Sequence, residues 1–547
     1  MGRKMKIDIV RTRPFADQKM GTSGLRKKTK VLLDNPNYLE NFLQALFDTA
    51  DVKGKKWVVG GDGRFLNKEA LQVILKMAVA NGAKEIWVGK NGLFSTPAVS
   101  VVIRKYHLDG GIILSASHNP AGTEGDFGIK FNMSNGGPAS EQLTQRIFEK
   151  TQIITEYKMA QMEPVDLSKE CELTFGKTKI RIIDSIKDYI EKMETIFDFN
   201  AIRKMLKKGF RMYYDAFNAV TGPYAHVLFE DVLGAPKGTV ANGVPLEDFG
   251  GIHPEPNQVY AVDLQKVMNS KNAPDFGAAS DGDGDRYMIM GKSFFVYPAD
   301  SLAILTLNAH LIKGYKGKVV GVARSMPTAG AVDLVAKKMG IPTFETPTGW
   351  KFFGSLLDAG KVTFCGEESF GSSSFHIREK DGLWGVLFWL NILAVTGKTV
   401  KEIVEDFWKE FGRFYTERFD FFIPEKETAD NVLKELKANA KNLKGKVFNG
   451  LKIKQVKEFN YTDPVTGDKS MHQGIIVQFD NHSRIVYRLS GTGTVGATMR
   501  VYLEKFEPDA KKQNEPVFEY MKDIASAVFE IAQLPLLIGK TKPDFAA

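Results

Sequence analysis

Three stretches of this sequence share one layout: a short apolar strand, a turn of small and polar residues, a segment with helical periodicity, and a further strand or helix end. They run from Trp57 to Val88, from Phe210 to Leu233 and from Lys318 to Phe344. Strands that alternate with helices of about ten to fifteen residues are typical of α/β layers built on a largely parallel sheet. The sequence therefore predicts three α/β domains of similar build.

The region after residue 418 has a different pattern. Apolar and polar residues alternate in the short segments Arg418–Ile423, Gly474–Phe479 and Ser483–Tyr487, and such alternation is typical of half-buried strands. This predicts a C-terminal α+β domain. A length of 547 residues agrees with about three to four domains, and we place them at residues 1–190, 191–302, 303–418 and 419–547.

Composition excludes a disordered chain, because 43% of the residues are hydrophobic and 25% are charged. The 74 Lys and Arg residues exceed the 65 Asp and Glu residues by nine, which gives a net charge of +9. An excess of this size in a long chain permits phosphate-bearing small molecules without requiring nucleic acid. We expect no nucleic-acid partner.

Cysteine content and apolar runs bear on the compartment. Cys171 and Cys365 are the two cysteines, too few for a disulfide framework. The first fifteen residues have no apolar core of signal-peptide length, and Lys6 stands where a myristoylation motif needs Ser or Thr. The run Leu383–Val395 is shorter than the roughly 18 residues of a membrane span and predicts a buried helix. We expect a cytoplasmic protein without stable membrane insertion.

An acidic loop at Ser280–Arg286 places Asp281, Asp283 and Asp285 at alternating positions between glycines. Three carboxylates this close repel one another unless a cation compensates. A calcium-binding EF-hand is excluded, because Arg286 and Lys292 occupy its required Gly and Glu positions. The loop suits Mg²⁺ shared with a phosphate oxygen; the alternative is a solvated acidic turn.

A serine loop, Ser115–Pro120, follows the strand-like segment Gly110–Leu114. A serine at the end of a buried strand, in a loop stiffened by Asn-Pro, is held where a ligand can reach it. Ser117 lacks the flanking glycines of a G-x-S-x-G nucleophile, so nothing here favours acyl transfer. The alternative is an ordinary polar turn.

Two further loops suit a phosphorylated sugar. Arg488–Thr494 and the following Gly496–Arg500 combine Gly, Ser and Thr with an arginine on either side, which makes an anion cradle without the Walker pattern. Cys365–Gly371 and His376–Gly382 offer carboxylate and hydroxyl groups for sugar hydroxyls, with Arg378 and Lys380 for a phosphate. The alternatives are a glycine-rich turn and a charged surface loop.

These four loops, in this order and at these separations, resemble the α-D-phosphohexomutase superfamily, and most closely its phosphoglucomutase branch. The resemblance spans residues 12 to 505. Further matching segments are Asp17–Arg26, Gly61–Arg64, Ser95–Ala98, Gly125–Asn132, His253–Asn257 and Thr346–Phe353.

The resemblance implies four domains around a central cleft, each giving one loop to the site: three mixed α/β domains and a fourth related to TATA-binding-protein-like folds. It implies that Ser117 carries the phosphoryl group and, with Asp281, Asp283 and Asp285, holds one Mg²⁺. Close to the phosphoryl group it places Arg26, His118, Lys130 and Arg286. The implied sugar contacts are Glu367 and Ser369, with Thr348, Gly349 and Lys380 lining the substrate site. The implied ligands of the non-reacting phosphate are Arg488, Ser490, Gly491, Thr492, Gly493 and Arg500.

The implied activity is the interconversion of glucose 1-phosphate and glucose 6-phosphate through a phosphoserine and glucose 1,6-bisphosphate. A base must take the proton of the attacking sugar hydroxyl, and the candidates are Lys130, which we favour, and His118. Reorientation of the bisphosphate implies a hinge near residue 418. The oligomeric state is undetermined, a monomer or a weak dimer.

Other functions stay open at this point. Within the superfamily they are a parafusin-like or aciculin-like phosphoprotein with a mainly binding role, a phosphomannomutase, and a glucose 1,6-bisphosphate synthase. The sequence departs from the usual branch pattern at Ser115, where Thr is usual, and at Ala121, Thr123 and Glu124. The largest departure is Phe375, which replaces an Asp ahead of His376. The final residues, Lys542–Ala547, match no family ending.

Overall fold

The computed structural model describes residues 5–490 and 497–547. The chain forms two compact, discontinuous units. The first consists of Met1–Val296, Asn308–Lys318 and Ser369–Val400. The second consists of Tyr297–Leu307, Val319–Glu368 and Lys401–Ala547.

The first unit opens with a mixed sheet flanked by helices. The strands are β1 (Ile7–Arg11), β2 (Leu25–Lys28), β3 (Lys56–Gly61), β4 (Glu85–Leu93), β5 (Gly110–Leu114), β6 (Asp126–Met133), β7 (Glu156–Ala160), β8 (Cys171–Phe175) and β9 (Thr178–Ile183). The helices are α1 (Thr29–Asp34), α2 (Tyr38–Ala50), α3 (Asn67–Ala80), α4 (Thr96–Tyr106) and α5 (Glu141–Thr151). The order of the mixed sheet is β2-β6-β5-β3-β4-β9-β8, with parallel pairing among β5, β3, β4 and β9. The strands β1 and β7 pair antiparallel in a separate two-stranded sheet.

The sequence of this sheet explains its layers. Trp57, Val58 and Val59 of β3 are all buried, as expected of a strand covered by helices on both faces. On α3, Leu71, Ile74, Leu75 and Ala78 recur at helical spacing and are buried. Burial of each larger apolar side chain of this kind contributes roughly 1.5–3 kcal/mol. The carboxyl ends of these strands deliver the loops that matter below.

The second sheet of the first unit is smaller. The helices α6 (Ser185–Ile196) and α7 (Phe199–Lys207) precede it in the chain. Its strands are β10 (Met212–Asp215), β11 (Val240–Ala241), β12 (Phe276–Ser280), β13 (Tyr287–Gly291) and β14 (Phe294–Phe295). The helix α8 (Thr221–Ala225) connects β10 to β11, and α9 (Val262–Met268) lies between β11 and β12. Its order is β11-β10-β12-β13-β14. β10 pairs in parallel with β11 and β12, and β12 turns back antiparallel into β13. The acidic loop is that turn.

The second unit begins with α10 (Pro298–Leu307) and continues with β15 (Val322–Ser325), α11 (Ala331–Met339), β16 (Thr343–Thr346), α12 (Lys351–Asp358) and β17 (Phe364–Gly366). β15 pairs in parallel with both β16 and β17. The third stretch of strand, turn and helix predicted from the sequence is therefore confirmed as an α/β layer.

The chain then returns to the first unit with β18 (Ser372–Ser374) and α13 (Gly382–Thr396). α13 is the predicted buried helix, and Asp381 caps it by accepting the N–H of Trp384 at 3.1 Å. Within the described ranges no single helix has the length and apolar composition needed to cross a membrane. Taken together, α13 and the following helix Val400–Phe411 meet both criteria, but they are bent by 87° at the break between them.

The rest of the second unit is an antiparallel sheet with helices on one face. Its elements are α14 (Val400–Phe411), β19 (Arg413–Ile423), α15 (Lys426–Ala438), α16 (Ala440–Leu443), β20 (Val447–Phe448), β21 (Leu451–Glu458), β22 (Tyr461–Thr462), β23 (Lys469–Ser470), β24 (Ile475–Phe479), β25 (Arg484–Ser490), β26 (Ala497–Glu507), α17 (Val517–Ile531), α18 (Leu534–Ile538) and β27 (Phe545–Ala546). The sheet order is β20-β21-β24-β25-β26-β19-β27. Phe421 of β19 and Met499 of β26 belong to the core beneath α15 and α17. The predicted α+β domain is confirmed.

The predicted boundaries near residues 190, 302 and 418 fall inside α6, α10 and β19. β19 pairs with β26 along its whole length, so residue 418 lies in a continuous ladder rather than at a joint. The nearest break is Gly412, with φ +83°, between α14 and β19. The ladder between β19 and β26 therefore has no break near residue 418 at which the chain could bend.

Candidate active site

Ser117 lies in the loop that follows β5, at the carboxyl edge of the first sheet. It is buried and has φ +55°, a left-handed conformation that is uncommon outside glycine and that concentrates at functional sites. Its N–H donates to Ser115 Oγ at 2.7 Å. Gly282 allows the acidic loop to approach, because a Cβ there would lie 2.5 Å from Ser117 O.

A buried ion pair braces this serine loop. Arg64 and Asp62 have fully buried side chains and pair at 2.9 Å. Arg64 Nη2 donates to Ser117 O at 2.9 Å, and Ser115 Oγ donates to Asp62 Oδ2 at 2.5 Å. The hydroxyl of Ser115 thus makes two hydrogen bonds, so the Ser found where Thr is usual retains the group that the loop uses. Removal of one partner of such a pair strongly destabilises the folded state.

The three aspartates of the acidic loop are buried side by side. Each offers a carboxylate oxygen, and these oxygens lie within 4.8 Å of one another. Ser117 Oγ donates to Asp281 Oδ2 at 2.8 Å. Burial, together with the carboxylates of Asp285 and Asp283, raises the pKa of Asp281 well above its ordinary range. The cluster is therefore short of positive charge.

Two lysines supply part of the positive charge that the aspartates need, and a threonine adds a hydrogen bond. Lys130, on β6, donates to Asp283 Oδ2 and lies 3.4 Å from Asp285 Oδ2. Lys380 Nζ lies 3.2 Å from Asp285 Oδ1. Thr96, at the start of α4, donates its hydroxyl to Asp283. Burial alone would raise the pKa of Asp283, but the Lys130 ammonium holds it well below its usual range.

The donor set fits Mg²⁺. Carboxylate oxygens are the hard ligands that Mg²⁺ prefers. Among residues 5–490 and 497–547, no hydrogen-bond partner reaches the buried Asp283 Oδ1. An unpaired buried carboxylate oxygen is costly unless a cation meets it. Asp281, Asp283 and Asp285, with the Ser117 oxygen 2.8 Å from Asp281, are the residues that would hold the ion.

Three more predicted residues surround this cluster. Arg26 Nη1 lies 3.5 Å from Asn119 Oδ1, on the loop that carries Ser117. Arg286 Nε lies 3.9 Å from carboxylate oxygens of both Asp281 and Asp285. His118 Nδ1 lies 3.4 Å from Ser117 Oγ. Burial and then the charge of Arg286 lower the pKa of Arg26, as expected where cations are gathered.

The two candidate bases have pKa values shifted in opposite directions. Burial alone would lower the pKa of Lys130, but Asp283 and Asp285 raise it above its ordinary value. Burial and the charges of Arg286 and Arg26 lower the pKa of His118 well below its ordinary value of 6.5. A base must be unprotonated before it accepts a proton. These directions favour His118, and the assignment of the base stays a prediction.

A buried hydrogen-bond network holds the segment that carries Lys380. Asp381 accepts from Tyr189 OH at 2.6 Å and lies 2.9 Å from His376 Nε2. His376 Nδ1 lies 2.7 Å from Ser374 Oγ, which also meets Tyr315 OH at 2.5 Å. Satisfied buried networks of this kind rigidify the loops they hold.

The same segment accounts for two other sequence features. Phe375 packs edge-on against Tyr315, with ring centroids 5.6 Å apart, so this departure adds an aromatic contact to the network. Arg378 Nη1 donates to the carbonyls of Phe375 and Ile377 at 2.9 Å. Arg378, predicted to meet a phosphate, thus also braces its own loop.

Glu379 is a buried carboxyl group that the sequence did not single out. Its Oε1 accepts from Asn132 Nδ2 at 3.0 Å, and Asn132 lies two residues after Lys130 on β6. Burial raises the pKa of Glu379 to about 8 from its ordinary 4.5, against the opposing charge of Lys130. The carboxyl group therefore binds a proton in the folded protein at pH values where the unfolded chain has lost it.

We expect Glu379→Gln to flatten the pH dependence of stability. Because the folded-state pKa is raised, the stability contributed by this group is fully present below pH 4.5 and is lost as pH rises towards about 8. The loss is up to about 1.4 kcal/mol per pH unit for one proton. Urea unfolding between pH 5 and 8 measures it.

The matched control for this measurement is Glu163→Gln, at an exposed position in the same unit. This variant should keep the wild-type dependence of the free energy of unfolding on pH. An identical slope in Glu379→Gln and wild type would show that Glu379 is ionised throughout this range.

Of the two predicted sugar contacts, Glu367 lies in the second unit. Glu367 follows β17 and is buried, and its Oε1 accepts the N–H of Gly349 at 2.8 Å. Thr348 Oγ1 is buried without a hydrogen-bond partner within the described part of the chain. The structure thus brings Thr348, Gly349 and Glu367 together. Ser369 belongs to the first unit.

The predicted phosphate arginines are opposite one another in the C-terminal sheet. Arg488 on β25 and Arg500 on β26 are direct cross-strand partners, and Ser490 is paired with Thr498 two residues further. Like charges in this arrangement repel unless an anion lies nearby. The remaining predicted ligands, Gly491, Thr492 and Gly493, lie outside the described residues.

Sequence reasoning gave no role to Asp62, Arg64, Thr96, Asn132 and Glu379. Asp62 stands between Gly61 and Gly63 at the end of an apolar strand, and Arg64 follows Gly63. Charged residues are seldom fully buried unless they are paired, so this position is a local signal. Thr96 and Asn132 carry no comparable local signal, because their partners are distant in the sequence.

Comparisons with known proteins agree with this site. Four consecutive segments match described domains: Phosphoglucomutase/phosphomannomutase alpha/beta/alpha domain I at residues 17–158, domain II at 187–293 and domain III at 298–411. The fourth match is Phosphoglucomutase-1, C-terminal domain, at residues 413–544. The four-domain fold class predicted from the sequence is thereby confirmed.

Similar whole proteins carry the same designation. Phosphoglucomutase of Rhizobium radiobacter is 49% identical over 538 residues, covering 98% of this chain and 99% of the relative. The chain belongs to the phosphoglucomutase family. Human phosphoglucomutase-1 is 46% identical over 558 residues, with 98% of this chain and 99% of the relative covered.

A solved structure extends the likeness to three dimensions. It is pp63/parafusin (phosphoglucomutase) from Paramecium in its open form, 42% identical, with a TM-score of 0.92 and all of both chains covered. That Paramecium protein is named both as an exocytosis-sensitive phosphoprotein and as a phosphoglucomutase. Phosphoglucomutase activity is the function that the relatives share, and the alternatives left open by the sequence are not favoured.

Proposed function

We propose that this phosphoglucomutase interconverts glucose 1-phosphate and glucose 6-phosphate by way of phosphorylated Ser117. The observation that carries the proposal is the position of Ser117 Oγ, buried and 2.8 Å from Asp281 in a cluster of three aspartates. Three carboxylates beside a serine would not assist acyl transfer. They are suited to bind a metal ion that holds a phosphoryl group on the serine.

In the first step, the phosphoryl group leaves Ser117 Oγ for the free C6 hydroxyl of glucose 1-phosphate, which forms glucose 1,6-bisphosphate. The P–O bond to Ser117 breaks as the bond to O6 forms, and His118 accepts the hydroxyl proton. Arg26 and Arg286 lie where they offset charge on the transferring group. After the bisphosphate reorients, Ser117 Oγ takes the C1 phosphoryl group in the second step: the bond from phosphorus to Ser117 Oγ forms as the bond to O1 breaks. O1 receives the proton held by His118, and glucose 6-phosphate leaves.

Mg²⁺ bound by the three aspartates would act as a Lewis acid that neutralises charge on the phosphoryl oxygens. Lys130 and Lys380 hold the aspartate carboxylates in place from either side of Asp285. We assign Lys130 this countercharge role. In the second unit, Glu367 with Gly349 would orient the sugar hydroxyls, and Arg488, Ser490 and Arg500, with Gly491–Gly493, would hold the idle phosphate.

A coupled assay tests the function. With glucose 1-phosphate, Mg²⁺ and catalytic glucose 1,6-bisphosphate, the expected product is glucose 6-phosphate, detected by its dehydrogenase. A folded protein without turnover would contradict the proposal. The kcat/KM for mannose 1-phosphate should be lower than that for glucose 1-phosphate, and the reverse order would make the enzyme a phosphomannomutase.

We expect Glu367→Gln to lower kcat/KM for glucose 1-phosphate by about 10- to 100-fold. The amide still accepts the N–H of Gly349 through its oxygen, but it loses the charge that makes hydrogen bonds from sugar hydroxyls strong. Steady-state kinetics measure the effect.

Glu435→Gln, on an exposed position of α15, is the matched control and should be neutral. Unchanged kinetics in Glu367→Gln would remove Glu367 from the sugar site. A cytoplasmic location and a monomeric or weakly dimeric state remain predictions from the sequence.

A further inference from the structure

The last residues of the chain form an edge strand of the C-terminal sheet. β27 runs antiparallel to β19, with Phe545 opposite Asp420 and Ala546 opposite Phe419. Ala547 and Arg418 exchange backbone hydrogen bonds at 2.8 and 3.0 Å. Asp544 N–H donates to Asp420 O at 3.0 Å, and Asp544 Oδ2 accepts the N–H of Phe422 at 2.7 Å. The segment Asp544–Ala547 is therefore an ordered part of the sheet.

The strand register places four residues in one row across the sheet. Phe545 is opposite Asp420, Asp420 is opposite Arg500, and Arg500 is opposite Arg488. Direct cross-strand partners project from the same face of a sheet. The opposite face, with Phe419 and Phe421, is the one buried beneath α15 and α17. The row ends at the two arginines proposed to hold the idle phosphate.

Side-chain contacts connect the row. The guanidinium of Arg418 lies over the Phe545 ring, 5.4 Å from its centroid. Arg418 Nε is 3.0 Å from Asp420 Oδ1, and Arg500 Nε is 3.6 Å from Asp420 Oδ2. Asp420 thus divides its two oxygens between two arginines. The Asp420 side chain is only 15% exposed, so solvent screens these pairs incompletely.

The phosphate arginines need such a support. Arg488 and Arg500 are like charges directly opposite one another, an arrangement that destabilises a strand pair. Asp420, on the far side of Arg500 from Arg488, offsets this repulsion and gives the Arg500 guanidinium a fixed partner. Arg418, held by Phe545, fixes Asp420 in turn.

We propose that the C-terminal strand is a positioning element for phosphate binding: Phe545, acting through Arg418 and Asp420, sets the orientation of Arg500 and hence the affinity for the non-reacting phosphate of the substrate. The inference rests on the proposed function of Arg488 and Arg500. Phe545, Arg418 and Asp420 are positioning residues, since the chemistry takes place at Ser117.

Binding is measured apart from turnover. In a Ser117→Ala background, calorimetry gives the Kd of glucose 1-phosphate. We expect Phe545→Ala, and a chain ending at Pro543, to raise this Kd by about 3- to 10-fold, the range of a partly screened ion pair that loses its orientation. Lys542→Ala, exposed in the same tail, is the matched control and should leave Kd unchanged.

Two further measurements separate positioning from a loss of structure. With Ser117 intact, Phe545→Ala should raise KM by a similar factor while kcat stays within about two-fold. In an Asp420→Asn background, Phe545→Ala should have no additional effect on Kd, because the path through Asp420 is already broken. Circular dichroism and Tm establish that each variant is folded. If Phe545→Ala does not fold, Phe545→Leu takes its place in these measurements.

The outcomes are distinct. Failure of the Ser117→Ala reference to bind glucose 1-phosphate would overturn the proposed function itself. Normal binding by the reference, with a Kd that neither Phe545→Ala nor the shortened chain changes, would overturn the positioning role alone. An equal rise in Kd with Lys542→Ala, or full additivity with Asp420→Asn, would overturn it as well.

Discussion

Ser117→Ala is expected to abolish the phosphoenzyme and to lower kcat by about 10⁴-fold or more, the loss typical of an enzyme deprived of its nucleophile. Wild-type protein incubated with glucose 1,6-bisphosphate should gain the mass of one phosphoryl group, and the variant should gain none. Intact-mass spectrometry, together with the coupled assay, measures both effects.

The fold should survive this change. Asp281 Oδ1 still accepts the N–H groups of Asp285 and Arg286 at 2.9 and 3.0 Å, and Ser115 Oγ still accepts the N–H of residue 117. Ser168→Ala, at an exposed serine of the same unit, is the matched control and should retain both the adduct and the activity. A full phosphoryl adduct in Ser117→Ala would move the nucleophile to another residue.

Asp283→Asn is expected to lower kcat by about 10²- to 10³-fold and to remove the stabilisation of the protein by Mg²⁺. Asp283 Oδ2 accepts from Lys130 and Thr96, whereas its buried Oδ1 has no hydrogen-bond partner in the part of the chain that the structure describes. An amide keeps the size of the side chain but loses the charge that would hold the ion.

Thermal unfolding with and without Mg²⁺ gives a readout that does not depend on activity. An ion present at about 100 times its Kd stabilises the wild-type protein by about 2.7 kcal/mol, and we expect Asp283→Asn to lose this shift. Asp263→Asn, at an exposed acidic position on α9, should keep it. Retention of the shift by Asp283→Asn would mean that Mg²⁺ binds elsewhere.

Local patterns were sufficient for much of the fold and for part of the site. The periodic residues of α3 and the strand Lys56–Gly61 could be recognised because each element buries its own apolar face. The aspartates of Asp281–Asp285 could be recognised because three carboxylates in one short turn have few structural uses. Signals of this kind lie within about ten residues of sequence.

Groups whose meaning depends on distant partners could not be predicted in this way. The raised pKa of Glu379 arises chiefly from burial, and the raised pKa of Lys130 arises from Asp283 and Asp285, which lie more than 150 positions away. The extent of β19 could not be predicted either, because only its end from residue 418 shows alternation in the sequence, whereas its ladder with β26 begins at Arg413.

The interleaving of the two units has a consequence for biosynthesis. The first unit needs Lys380 and Asp381, which pair with Asp285 and Tyr189, yet these residues are made after the whole Val319–Glu368 segment of the second unit. On the ribosome, the surroundings of Ser117 therefore stay incomplete until residue 381 has emerged. The first unit is consequently expected to mature late, and a nascent chain cut short before residue 369 would carry the serine without its second lysine.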